Sequence, residues 1–286
     1  MTNKLIKEIT DGLKVKLDSL VMDEKELLEY YKFTSKFYRD RSFRNTLLIF
    51  MSKPNAEVVA TYKQWIEKHN RIVVACIVCR SFKKSDCTCE KREKPTRINQ
   101  LMPIVAKGKT EDEEDKIFFR AYNVFDIEDT EPLNEDGERV HNPSSAKLLV
   151  GDDGLELINS VKNYLESIGW SFEEEVIRDG SNGYTIHPYK QVRIKTNNSN
   201  LQKAKTSVHE LAHVLLHADI DYFSCRDLAE VQAESVAYIV CNYYGLNTDD
   251  YSIKYIDGWA NGDDKLFIQS QEEIFQTSSE IIGLLS

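Results

Sequence analysis

The stretch Ser207-Val208-His209-Glu210-Leu211-Ala212-His213 sets two imidazoles four residues apart, with a carboxylate beside the first. On a helix, residues four apart share a face, so His209 and His213 can turn nitrogens toward one metal ion. Glu210 is rotated about 100° from His209 and can reach a water held on that ion. His-Glu-x-x-His on a helix is the arrangement that zinc peptidases use. A buried apolar helix would account for Val208, Leu211, Ala212, Val214, Leu215 and Leu216 without any metal. It would not account for two histidines and a glutamate, because unpaired polar groups in a core are strongly unfavourable.

A catalytic zinc usually takes three protein ligands and leaves a fourth position for water. The helix expected next offers Glu230 and Glu234, one turn apart. Glu230 is the favoured third ligand, with Glu234 holding a histidine from outside the ligand set; the reverse assignment also fits the spacing. His217 lies about 80° round and about 12 Å along the helix from His209, which leaves it as a packing or helix-end residue. The implied chemistry is metal-assisted hydrolysis. Zinc would lower the pKa of a water to about 7, and Glu210 would be the catalytic base that later returns the proton to a leaving amine.

These side chains need a scaffold. The pattern predicts a helix over 153–168 ended by Gly169, short strands at 171–177, 184–187 and 191–195, and the motif helix over 201–217. A helix over 227–244, closed by Gly245, follows, with two more near 249–259 and 263–284. Ahead of this lie helices within 4–39, a basic and aromatic stretch running into an apolar one over 39–50, and a short helix after Val58. Strands are expected at 71–78, 101–105 and 117–125, and an exposed connection at 128–146. The class is α+β, and the boundaries are 1–130, a linker at 131–150, and 151–286.

The 286 residues, 41% of them hydrophobic, suffice for one large core or two ordinary ones. No stretch approaches the ~20 apolar residues of a membrane span, and the first residues lack a signal peptide's apolar segment. A cytoplasmic location and no membrane partner are therefore expected. Charge is unevenly spread: residues 1–110 hold 23 Lys+Arg against 13 Asp+Glu, and residues 111–286 hold 14 against 34. A basic front half on an acidic chain suggests an anionic partner for that half.

Six cysteines in a reducing compartment are thiols or metal ligands rather than disulfides. Cys76-x-x-Cys79 and Cys87-x-Cys89 flank a basic insert at 80–100. Four thiolates there could hold a second, structural zinc, although the one-residue spacing of the second pair is short for a zinc ribbon and Cys76 also reads as a buried strand residue. Cys225 and Cys241 read as small core residues.

Several motifs together resemble the ArdC-like antirestriction proteins, including the related LtrC-like proteins of mobile elements. In front they are Ser42-Phe43-x-Asn45-x-Leu47-Leu48-Ile49, Pro54-x-Ala56, Trp65, and Val124-Phe125-Asp126-Ile127-x-x-Thr130-Glu131. Behind are His209-Glu210-Leu211-Ala212-His213, Glu230-x-x-Ala233-Glu234 and Tyr255-Ile256-x-x-Trp259. The resemblance implies an N-terminal domain that binds single-stranded DNA, a zincin-like metallopeptidase domain built of a small sheet plus active-site helices, and a role on conjugative plasmids. Under it, Arg39, Arg41, Arg44, Lys63 and Arg71 could meet phosphates, and Phe43, Tyr62 and Trp65 could stack on bases or sit in the core. Asn45 joins them as a motif residue. Two other readings stay open: an intracellular zinc metalloprotease whose front half recognises a protein substrate or partner, and a DNA-binding protein whose zincin domain is catalytically inert.

Overall fold

A computed structural model of the chain describes residues 2–37, 41–106, 116–138, 140, 154–178, 180–218, 222–248 and 264–285. In chain order the helices are α1 (Thr2–Met22), α2 (Glu24–Thr34), α3 (Phe43–Ser52), α4 (Tyr62–Glu67), α5 (Glu135–Glu138), α6 (Leu155–Ser167), α7 (Asn200–Leu216), α8 (Tyr222–Tyr243) and α9 (Asp264–Leu285). The strands are β1 (Val59–Ala60), β2 (Arg71–Val73), β3 (Ile98–Ala106), β4 (Lys116–Asp126), β5 (Thr130–Pro132), β6 (Ser171–Glu175), β7 (Gly183–Ile186) and β8 (Gln191–Lys195). No described helix is long and apolar enough to cross a membrane. The helix expected near 249–259, the Tyr255–Trp259 motif, Arg39 and the Cys225 side chain lie outside the described residues.

The chain forms two compact units, Met1–Leu17 with Arg44–Pro143, and Asp18–Phe43 with Ser144–Ser286. Both units are discontinuous in sequence, whereas the expected boundaries ran straight through. In the first unit β3 and β4 form an antiparallel hairpin in register from Ile98↔Val124 to Ala106↔Lys116, and β1 joins the far edge of β4. Trp65, Ala60 and Val73 pack beneath it with Val58, Phe125 and Ile127. Asp126 is the pivot: its Oδ1 accepts the N–H groups of Glu57 and Val58, and Lys53 pairs with its Oδ2 at 3.0 Å. The segment running from Val124 to Glu131 is therefore a folding motif.

The first residues of the stretch expected as a linker, 131–138, carry regular structure. β5 pairs antiparallel with β2, and α5 follows it. Arg71 clamps this segment, donating from Nε to Thr130 Oγ1 and from Nη1 to the Gly137 carbonyl. The strand expected at 71–78 stops at Val73, because the chain turns out of the sheet at the first cysteine pair.

In the second unit β6 runs parallel and β7 antiparallel to the central β8, whose Val192 and Ile194 are buried. Among the described residues β7 is thus an edge strand. Helix α6 ends at Gly169, with φ +80°; Trp170 N–H returns to the Leu165 carbonyl and Gly169 N–H to that of Glu166. This αL cap needs a residue without a Cβ penalty. Gly245 closes α8 in the same way. The Ser199 side chain caps α7 by accepting Gln202 N–H. α2 lies with α8 and α9, Tyr31 meeting Tyr238 and donating to Gln271 Oε1 at 2.9 Å.

Candidate functional site

Helix α7 is buried over its middle three turns, Ala204 to Val214, with His209 half-buried. Such a helix is packed on every side, so its polar residues are where partners must be found. His209 Nε2 and His213 Nε2 lie 3.1 Å apart. A Glu230 oxygen from α8 stands 3.4 Å from the first, and the other Glu230 oxygen stands 3.8 Å from the second. Two metal–nitrogen bonds of about 2.1 Å at a tetrahedral angle set their nitrogens about 3.4 Å apart. The three side chains therefore present donor atoms at the spacing a small divalent cation requires, all within 4.8 Å of one another.

The remaining ring nitrogens are committed elsewhere. His209 Nδ1 faces Glu234 Oε2 at 3.4 Å, and the other Glu234 oxygen pairs with buried Lys205. His213 Nδ1 meets His217 Nδ1 at 2.9 Å, His217 Nε2 meets Gln232 Oε1 at 3.1 Å, and Gln232 Nε2 donates to Glu273 on α9 at 2.6 Å. A carboxylate only accepts, so this chain has one direction. Gln232 donates to Glu273, His217 Nε2–H donates to Gln232, and His213 Nδ1–H donates to His217. The lone pair on His213 Nε2 is thereby left toward His209 and Glu230. Partners of this kind fix the tautomer of a ligating imidazole.

Glu210 is buried beside this cluster, with Thr185 of β7 donating to its Oε2 at 2.8 Å. A Cβ at Gly183 would come within 3.1 Å of Glu210 Oε1 and 2.6 Å of Thr206 Cγ2, so β7 approaches α7 as closely as a glycine permits. The field of the site favours positive charge. Burial opposes a charge on His209, yet the carboxylates of Glu230 and Glu234 outweigh it and push its pKa up to about 10. Burial and the charge on His209 push His213 down to about 3. Burial raises the Glu210 carboxyl above its usual range.

Four of the expected DNA-contacting side chains, three in the first unit and one in the second, make structural contacts. Trp65 is wholly buried and its indole N–H donates to the Phe125 carbonyl. Asn45 is buried, with both amide atoms satisfied by the Leu101 backbone. Arg71 holds β5 and α5, as described above. Phe43 is buried in the second unit against Tyr30 and Phe275. Arg41 is half-buried, Arg44 is exposed, and exposed Lys63 stands 3.7 Å from Glu67. Tyr62 is 48% exposed and opens onto a cleft of about 630 Å³. Phe82, Phe125, Arg92, Lys94 and Arg97 share that cleft, so it is basic and aromatic together. Sequence reasoning did not single out Phe82, Arg92, Lys94 or Arg97, nor Thr185, Lys205, Gln232 and Glu273. The basic composition of the insert at 80–100 was the available signal for Arg92, Lys94 and Arg97, and the i+4 step from His213 to His217 the signal for the relay.

Comparison with known proteins gives three findings. Residues 176–245 match the IrrE N-terminal-like domain, a peptidase-family segment that spans β7, β8, α7 and α8. The uncharacterized protein pXO2-81 of Bacillus anthracis is 25% identical over 310 residues, covering 98% of this chain and 51% of that one, so the chain spans about half the length of the curated relative it matches. The metal-free crystal structure of the antirestriction ArdC protein from the R388 plasmid superposes with a TM-score of 0.51 at 15% identity, over 85% of this chain and 84% of that one. Its Mn(II)-bound form gives 0.51 at 14%, with the same coverage. The chain is ArdC-like in fold, an α+β architecture with a zincin-like second unit.

Proposed function

We propose that this chain is an antirestriction accessory protein of a mobile element, which binds single-stranded DNA with its first unit and holds a divalent cation in a peptidase-like site of its second. The observation that carries the reading is the convergence of His209, His213 and Glu230, with the outer ring nitrogens already engaged by Glu234 and His217. The R388 protein has a Mn(II)-bound form, which supports a divalent cation here. Two imidazoles and a carboxylate suit zinc and manganese alike; zinc is our assignment, with Glu234 outside the ligand set.

When bound, such a cation supplies Lewis acidity that polarises a carbonyl and acidifies water. The protein's own groups do the rest. Glu210, aimed by Thr185, takes a proton from water and returns it to the leaving amine; its raised pKa suits both halves of that task. β7, the edge strand beside Glu210, can align an extended peptide along its free side.

For nucleic acid, the cleft of Tyr62, Phe82, Arg92, Lys94 and Arg97 combines stacking faces with cations, the chemistry that grips unpaired strands without reading sequence. Titration of labelled single- and double-stranded oligonucleotides at two salt concentrations tests this. We expect single strands to bind more tightly, with affinity falling steeply with salt, and Phe82→Ala with Arg97→Ser to weaken both affinity and salt slope. Glu210→Gln should keep the metal and lose any peptide hydrolysis. Hydrolysis without strand binding would move the reading to a metalloprotease with a protein-recognising front half; strand binding without hydrolysis would leave an inert zincin domain.

A further inference from the structure

Residues 77–97 form an anomaly in the first unit. None of them is buried, and their only regular structure is a single 3-10 turn at Lys84–Asp86. A loop this long inside a compact domain needs something to hold it, and it has no apolar core of its own. At its base the four sulfurs of Cys76, Cys79, Cys87 and Cys89 meet, all within 4.8 Å of one another. Cys76 Sγ lies 3.8 Å from Cys89 Sγ, and Cys79 Sγ lies 3.7 Å from Cys87 Sγ. A disulfide would bring paired sulfurs to about 2.05 Å. Four thiolates on a tetrahedral zinc, each bonded at about 2.3 Å, stand about 3.8 Å apart along every edge. The separations of these two pairs match opposite edges of that tetrahedron, and the remaining sulfurs lie within 4.8 Å of one another.

The backbone around the sulfurs agrees. The N–H groups of Val78 and Cys79 point to the Cys76 sulfur, that of Ser81 to Cys79, and that of Cys89 to Cys87. Amide donors of this sort stabilise thiolates. Arg80, directly after the Cys76–Cys79 turn, has φ +59°, a left-handed conformation unfavourable for a side-chain-bearing residue. Its guanidinium compensates by bonding the carbonyls of Glu128 and Thr130 and the carboxylate of Glu131. The turn is thus pinned in shape from outside while its sulfurs face inward.

We propose that Cys76, Cys79, Cys87 and Cys89 form a structural site for a divalent cation of the zinc class, separate from the histidine site, and that this ion folds the 77–97 loop. The same loop carries Phe82, Arg92, Lys94 and Arg97 to the cleft, so the ion would set the shape of that wall. This last clause rests on the nucleic-acid reading; the metal site does not, and its test involves no DNA.

The test is Co(II) titration of the reduced, metal-stripped full chain carrying His209→Ala and His213→Ala. We expect sulfur-to-cobalt charge-transfer absorption and the intense d–d bands of tetrahedral thiolate ligation, displaced by Zn(II) and lost on adding Cys79→Ser and Cys87→Ser. In the otherwise unaltered chain, trypsin cleavage at Lys83, Lys84, Lys91 and Arg92 should be slowed by about tenfold or more with Zn(II), the mass-action effect of a tightly held ion. That readout survives if the cysteine variants fail to fold. Cobalt binding without thiolate bands, or peptide mapping that finds Cys76–Cys89 and Cys79–Cys87 disulfides in freshly purified protein, would overturn the site. Cleavage indifferent to Zn(II) would overturn its structural role.

Discussion

Glu234 couples the candidate metal centre to the stability of the second unit, and Glu234→Gln separates the two. Its carboxylate is shared between His209 Nδ1 and the Lys205 ammonium, whose side chain is 6% exposed. Removing one partner of a buried ion pair strands the other and costs about 3–5 kcal/mol. With a urea dependence of about 2 kcal/mol per molar, the unfolding midpoint of this unit should drop by about 1.5–2.5 M. Adding Lys205→Met removes the stranded charge and should recover most of that loss. Metal affinity should behave differently: the amide is a weaker partner for His209, so affinity falls about 10–100-fold in both the single and the double variant. The pH dependence carries a further sign. Burial alone would raise the Glu234 pKa, but His209 and Lys205 hold it below the usual value. Its contribution is therefore present above the ordinary carboxylate range and is lost as pH falls through the depressed folded value; Glu234→Gln should flatten that acid limb. Urea unfolding and calorimetric metal titration measure both quantities. A single variant that loses under about 1 kcal/mol, or a double variant no more stable than the single, refutes a desolvated pair.

Three further outcomes follow from the geometry. Gly183→Ala presses a methyl onto Thr206 and toward Glu210; overpacking of this kind costs about 1–3 kcal/mol, and any hydrolysis should fall while metal is retained, checked by melting and activity together. Because the pKa of His209 is pushed up to about 10, a bound cation displaces a proton, so apparent metal affinity should weaken about tenfold per unit of acidification across neutral pH, measured by competition with a chromogenic chelator. Trp65→Ala should destabilise the first unit by about 3–5 kcal/mol, whereas Tyr62→Ala should leave stability nearly unchanged and weaken strand binding by about 1–3 kcal/mol.

What was legible in the sequence was what depends on local spacing. His209, Glu210 and His213 sit four and one apart on a helix whose existence their apolar neighbours announce, and Gly169 and Gly245 mark helix ends because αL caps call for glycine. Illegible features depended on distant partners. Tyr31 reads as an ordinary amphipathic position, yet its neighbours Tyr238 and Gln271 come from helices more than two hundred residues on, so α2 belongs to the second unit. Phe43 and Trp65 are equally suited to a base or a core by chemistry alone, and only the surrounding packing decides. Ile72 to Val78 is β-branched enough for a long strand, but the turn at Cys76 cuts it at Val73. Glu273 carries no motif at all.

The directed run of hydrogen bonds from His213 to Glu273 has a consequence for how such a chain can change. Each member permits only one neighbouring donor–acceptor pattern, so substitution at 217, 232 or 273 is viable chiefly in lockstep with the others. Helix α9 is accordingly not dispensable to the second unit: removing it would unset the proton on an imidazole sixty residues upstream, and the damage would surface as a ring nitrogen facing the wrong way.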